Sequence, residues 1–156
     1  MNQCSNDLLI SSDRRLSSDR RLLQMDRVEA LLRGTPWGMA MPRRVMEKAA
    51  AHSLCFGVYH RGRQVGYARA VTDHATMYYL CDVVIDPAYR GRGLGRALVE
   101  FVARQPGFDR YQGMLDTEDA HGLYRQVGFA ADGEHLMVRH RETPLDAEPT
   151  GKDDEA

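Results

Sequence analysis

The segment Asp86-Pro87-Ala88-Tyr89-Arg90-Gly91-Arg92-Gly93-Leu94-Gly95-Arg96 joins a strand-like apolar run to a helical one. Free backbone N–H groups and the positive end of the helix dipole make such a junction an anion site. Its glycines let phosphate oxygens approach the backbone. Arg90, Arg92 and Arg96 each oppose the dipole by roughly 0.3–1 kcal/mol, an arrangement that makes sense once an anion arrives. The loop is not a Walker A sequence, since no Gly-Lys-Ser/Thr follows. Nor does it follow the first strand of a dinucleotide-binding unit. It comes after strands that run consecutively.

The elements that must position this loop read as follows. Leu8–Ile10 is a short first strand. Residues 11–16 and 17–22 are one hexapeptide, Ser-Ser-Asp-Arg-Arg-Leu, written twice. Two copies are not a solenoid, and the repeat is expected to be a loop insertion, which costs little closure entropy. Met25, Val28, Leu31 and Leu32 make a helical stripe that Gly34 ends. Pro42 opens a second helix running to about His52. Ser53–His60 and Gln64–Val71 flank a hairpin signal at Arg61-Gly62-Arg63. Asp73-His74-Ala75 turns the chain into Met77–Ile85. After the glycine loop, Leu94, Ala97, Leu98, Phe101 and Val102 form one helical face. Tyr111–Asp116 is predicted as a strand, Asp119–Val127 as a short helix stopped by Gly128, and Glu134–Arg139 as a last strand. Mostly antiparallel N-terminal strands followed by β-α-β-α-β predict an α/β fold, with helices on both faces of a mixed sheet.

Composition narrows the function. The chain has 156 residues, 43% of them hydrophobic, enough for one core. We expect a tail over residues 1–6, one domain over 7–141 and a disordered acidic tail over 142–156. No apolar run approaches the ~20 residues of a membrane span, and no signal-peptide core is visible, so a cytoplasmic protein without a membrane partner is expected. A net charge of −1 offers no field for nucleic acid. Cys4, Cys55 and Cys81 form neither a disulfide framework nor a zinc pattern, and the histidines show no ligand spacing, so no metal is expected.

The spacing Arg90-x-x-Gly93-x-Gly95 resembles the Q/R-x-x-G-x-G/A signature of the GNAT acetyltransferases. Val83-Val84-Ile85-Asp86-Pro87 before the loop is similar to the family's strand. Ala120-His121-Gly122-Leu123-Tyr124-Arg125-Gln126-Val127-Gly128-Phe129 resembles its A-x-x-L-Y-x-x-x-G-F segment. The resemblance runs from about Leu8 to Arg139 and implies an N-acetyltransferase, with acetyl-CoA as cosubstrate and an amine as acceptor, acting as a monomer or homodimer. By the same resemblance, the amides of Gly91, Arg92, Gly93, Leu94, Gly95 and Arg96, in the loop that Arg90 opens, hold the pyrophosphate. Val83, Val84 and Ile85 pair with the pantetheine arm, and Tyr124 protonates the departing thiolate. Tyr124 also shares a helical face with Ala120, Leu123 and Val127, as a core aromatic would. Thr117 stands where many members carry Asn toward the pantetheine.

An alkylammonium acceptor must lose a proton before it attacks, at a cost of roughly 4–5 kcal/mol at pH 7. Asp82 stands where polyamine acetyltransferases carry an acidic residue, which implies a base beside the acceptor. A carboxylate satisfied by local donors is its structural alternative. Where other members keep a Glu earlier on the strand, this chain has Tyr79. Trp37 lies in the linker that borders the acceptor pocket in the family, so Trp37, Tyr79 and Asp82 are the expected acceptor-binding residues. The preferred acceptor is a small primary amine. A protein acceptor and a non-catalytic acyl-CoA-binding module are the alternatives.

Overall fold

The computed structural model describes residues 7–11, 13–141 and 144–147. Strands β1 (Asp7–Ser11), β2 (Arg14–Ser17), β3 (Leu54–His60), β4 (Arg63–Thr72), β5 (Met77–Ile85) and β6 (Gln112–Met114) form one six-stranded sheet in sequence order. Every neighbouring pair is antiparallel except β5 and β6, which are parallel. Helices α1 (Met25–Arg33) and α2 (Arg43–Ala51) join β2 to β3, α3 (Leu94–Ala103) joins β5 to β6, and α4 (His121–Arg125) follows β6.

The sheet carries a core on each face. Phe56, Val58, Ala68, Ala70, Tyr78 and Leu80 pack with Leu94, Leu98, Phe101 and Val102 of α3. Cys55, Tyr67 and Val84 pack with Val28, Leu31, Leu32, Met46 and Ala50 of α1 and α2. Alternation along a strand sends successive side chains to opposite cores. The helical stripes fall where the 3.6-residue period puts them, and Gly34 caps α1 as expected.

Two expectations fail. The first hexapeptide copy is not a loop. Arg14–Ser17 is β2, paired with β1 on one side and β3 on the other. Leu16 fixes its register by burying completely, at 0% exposure. Ser17, the first residue of the second copy, still belongs to β2, and the rest of that copy is a connection with a short 3-10 turn over Arg20–Leu22 capped by Asp19. Glu134–Arg139 is not a strand either. Gly133–His135 forms a turn and the residues after it are irregular. Leu136, Met137 and Val138 stay 62%, 94% and 63% exposed. A short alternating run makes a strand only where an edge pairs with it, and β6, the last strand of the sheet, is only three residues long. Of the expected tails, residues 1–6, 142–143 and 148–156 lie outside the described residues. Among the described residues, no helix is long and apolar enough to cross a membrane.

Candidate acyl-CoA and acceptor site

The site begins with an interruption in β5. Opposite β4, Tyr67 pairs with Val84 but Arg69 pairs with Cys81, so β5 carries one extra residue. That residue makes a β-bulge, and Asp82 takes a left-handed φ of 57° there. The bulge reverses the alternation of the strand. Tyr78 and Leu80 face the α3 core before it, and Val83 and Ile85 face that core after it. On the other edge, β6 pairs with β5 only from Met77 to Tyr79. From Leu80 to Ile85 that edge has no strand partner among the described residues. Val84 and Ile85 are 6% and 8% exposed and belong to opposite cores. What this stretch offers outward is therefore main chain.

The strand leads into the glycine loop. Asp86 fixes the exit: Oδ1 accepts from the Ala88 amide at 2.9 Å, and Oδ2 pairs with Arg27 at 2.8 Å. Gly91 and Gly93 have φ of 74° and 75°, which only glycine adopts freely. A Cβ on either would meet nothing within 4 Å, so the protein leaves the space beside both open. Gly93 is the N-cap of α3 and no side chain caps the helix. The first turn thus presents amides that lack an intrahelical partner. The arginines divide. Arg90 Nε donates to the Ile85 carbonyl at 3.1 Å. Arg96 pairs with Glu100 at 2.8 Å. Arg92 lies over the Tyr89 ring, 5.3 Å from its centre, with no acid or carbonyl partner among the described residues. An uncapped helix start, open space at two glycines and an unpaired cation fit a diphosphate.

The acidic and phenolic candidates gather around β5. Asp82 is 8% exposed, and its Oδ2 accepts from Arg69 Nε at 2.5 Å. Arg69 also reaches Ser53 Oγ at 3.3 Å. Oδ1 of Asp82 has no partner among the described residues. Tyr79 points out at 37% exposure, and burial, with the charge of Asp116, lifts its phenol above the usual range. Burial pushes the half-buried Cys81 thiol up to about 11. Tyr124 packs edge-on against Phe129 at 6.1 Å. Burial, seconded by Asp119, raises its phenol too, and the hydroxyl has no partner among the described residues. Phe129 in turn touches Tyr78, which ties α4 to the strand bearing the bulge. Thr117 Oγ1 accepts from the Ala120 amide at 3.0 Å, so its hydroxyl serves the start of α4. Trp37, 52% exposed, stands in the α1–α2 connection. Arg33 clamps that connection by donating to the carbonyls of Gly38, Met39 and Met41. Among the described residues no cluster of His, Cys, Asp and Glu could hold a metal.

The domain family described as Acetyltransferase (GNAT) domain matches residues 51–131, which run from the end of α2 through β5, the glycine loop and Tyr124. The chain belongs to the GNAT acetyltransferases. Its sheet and helices match a solved GNAT-family protein of Xanthomonas campestris pv. campestris, provisionally called an acetyltransferase. That match has 36% identity and a TM-score of 0.79, over 86% of this chain and 97% of the other. A Gibberella zeae protein, also provisionally named an acetyltransferase, is 31% identical over 82% of both chains. Histone acetyltransferase TAP1 of Glycine max is 40% identical over 47% of this chain. The chain spans only about a third of that plant relative, 33% of its length.

Sequence reasoning names the glycine loop, the strand before it and Tyr124 as candidates. It missed Arg69, whose bond to Asp82 depends on the strand register. It also missed Arg33, and the bond between His60 and Tyr89. A basic residue inside an apolar strand is the one signal for Arg69 that the sequence carried.

Proposed function

We propose that this GNAT chain transfers an acetyl group from acetyl-CoA to a primary amine of a small molecule, with Tyr124 as general acid. The observation that carries the reading is the edge of β5 that has no strand partner among the described residues, leading through the glycine loop to the uncapped start of α3. Bound acetyl-CoA supplies an acetyl group activated as a thioester. The amides from Gly91 to Arg96 would hold its diphosphate, and the main chain of Val83–Ile85 would pair with the pantetheine amides. The Thr117 hydroxyl proton is left over to donate to the same arm. A phenol raised by burial stays protonated at neutral pH, so Tyr124 has a proton to give to a departing thiolate. Asp82 offers Oδ1 to the proton of the incoming ammonium while Arg69 holds Oδ2. Tyr79 and Trp37, both exposed, would line the acceptor side.

A protein acceptor is the second reading, favoured by the similarity to a protein named histone acetyltransferase. One assay separates the readings. Thiol release from acetyl-CoA is followed with a panel of small amines, amino acids and lysine peptides. Tyr124→Phe should lower turnover by roughly 10²–10⁴-fold, the usual scale for a lost general acid. CoA affinity should barely change, because the ring still fills its place against Phe129. Unchanged turnover with chemistry rate-limiting would return Tyr124 to the core. No turnover with any amine, alongside tight CoA binding, would mark a binding module.

A further inference from the structure

His60 ends β3 and uses both ring nitrogens. Nδ1 lies 2.7 Å from the Tyr89 hydroxyl and Nε2 lies 3.2 Å from Asp13 Oδ2. The two rings meet edge to face, 5.4 Å between centres. Asp13 is itself held. It accepts from Ser11 Oγ at 2.8 Å, its carbonyl accepts from the Arg61 amide at 2.8 Å, and the Arg61 side chain stands 3.5 Å from Oδ2. At the other end, the Tyr89 ring carries the guanidinium of Arg92 at 5.3 Å, inside the range of a cation–π contact. The contacts therefore run Asp13–His60–Tyr89–Arg92, from the residue just before β2 to the glycine loop.

Arg92 is the loop cation without a carboxylate or carbonyl partner among the described residues. An exposed arginine loses rotamer freedom when it grips a phosphate. A ring that already fixes its direction reduces that loss. The ring can do so only if it is itself fixed; its packing against the α3 core holds one side, and the hydroxyl bond to His60 sets its remaining freedom. Asp13 orients the imidazole by occupying its far nitrogen.

We propose that Asp13, His60 and Tyr89 are positioning residues that pre-set Arg92 for the phosphates of CoA, which makes the β1–β2 hairpin a supporting part of the cosubstrate site. The proposal rests on the reading of the glycine loop as the CoA site. It gives the first copy of the repeated hexapeptide a function that the second copy lacks. Asp13 reaches His60, whereas Asp19 at the same place in its copy caps a turn and binds Arg21.

The test is calorimetric titration of CoA into the full chain, with a double-mutant cycle. Arg92→Gln should weaken binding about 10-fold. His60→Phe keeps a ring but removes both nitrogens, and Tyr89→Phe removes only the hydroxyl. Each should weaken binding about 3- to 5-fold in the parent and have no further effect beside Arg92→Gln, because coupled residues fail to add. Asp13→Asn acts from the far end, leaves the sheet side chains alone and should follow the same pattern, so the cycle survives if His60→Phe folds badly. Unchanged affinity in Tyr89→Phe and Asp13→Asn, or losses that simply add to that of Arg92→Gln, would overturn the relay and leave His60 as strand-end packing. If Gly93→Val and Arg92→Gln both bind CoA like the parent, the loop reading has failed first and the relay falls with it.

Discussion

Replacing Asp82 by Asn tests the centre of the site, because one change should have two separable effects. In the Arg69–Asp82 pair the carboxylate is buried and the guanidinium largely so, their side chains 7% and 17% exposed, with a separation of 2.5 Å. Removing one partner of a buried ion pair costs about 3–5 kcal/mol, because the other charge is stranded. Arg69 keeps its bond to Ser53, and the asparagine carbonyl can still accept a neutral bond, so the lower end applies. About 3 kcal/mol, in a chain of this length, lowers Tm by about 6–12 °C. The second effect is kinetic. If Oδ1 takes the ammonium proton, the variant must wait for amines that deprotonate unaided. Its kcat/KM profile should then move to higher pH, with turnover reduced throughout the neutral range. Thermal denaturation and the pH dependence of kcat/KM on the same preparation read both. A fall in Tm with an unaltered profile refutes the base and leaves a carboxylate that only holds the bulge. An unaltered Tm refutes the claim that the pair is buried and matched. Arg69→Met added to Asp82→Asn removes the stranded charge while keeping a residue that tolerates φ of 57°, so it should recover part of the lost Tm, but not the turnover.

Gly93→Val should abolish CoA binding by titration, since φ of 75° strains any side chain and the new Cβ enters the space beside the helix start. Tm should fall through the cost of the strained backbone, about 1–3 kcal/mol, with no clash added, because no protein atom lies within 4 Å of that Cβ. Stability should decline above about pH 9. The Cys81 thiol has its ordinary value of 9.0 lifted to about 11 in the fold, and Tyr124 is raised as well. A raised value means that the folded state holds the proton longer. Stability is therefore complete below the unfolded value and is lost as pH climbs through the folded one. Cys81→Ser should flatten the loss of Tm between pH 9 and 11, and an unchanged slope there would contradict the burial of that thiol.

The parts of the candidate site that the sequence displayed are those made by neighbours in the chain. Arg90 to Arg96 are contiguous, and Tyr124 is set by a helical turn from Ala120. Their pattern survives without knowledge of the sheet. Asp82 was visible as an acid inside a strand, but its partner was not. Arg69 meets it only because β4 and β5 pair in one register and β5 carries an extra residue. His60 and Tyr89 lie 29 positions apart and meet for a similar reason. The unformed strand at Glu134–Arg139 shows the opposite error, since alternation records what a segment could pair with and not whether an edge awaits it. β2 escaped notice because a repeated hexapeptide gives one prediction for two places.

The repeat has a further consequence. Excising residues 11–16 and excising residues 17–22 produce one and the same polypeptide, because the copies are identical. In the intact chain, local preference contributes nothing to the difference between them. One leucine is sealed at 0% exposure in the sheet and the other sits half-covered before α1. One aspartate turns toward an imidazole and the other toward an arginine two residues on. The single-copy chain would have to choose. Keeping β2 leaves the entry to α1 without its turn and without the Arg20 bond to the Ser53 carbonyl. Keeping the turn strips β3 of its neighbour and leaves β1 nothing to join. The two halves of this segment are thus interchangeable as chemistry and irreplaceable as places, so the border of the sheet is defined by where the chain is tethered rather than by what it spells.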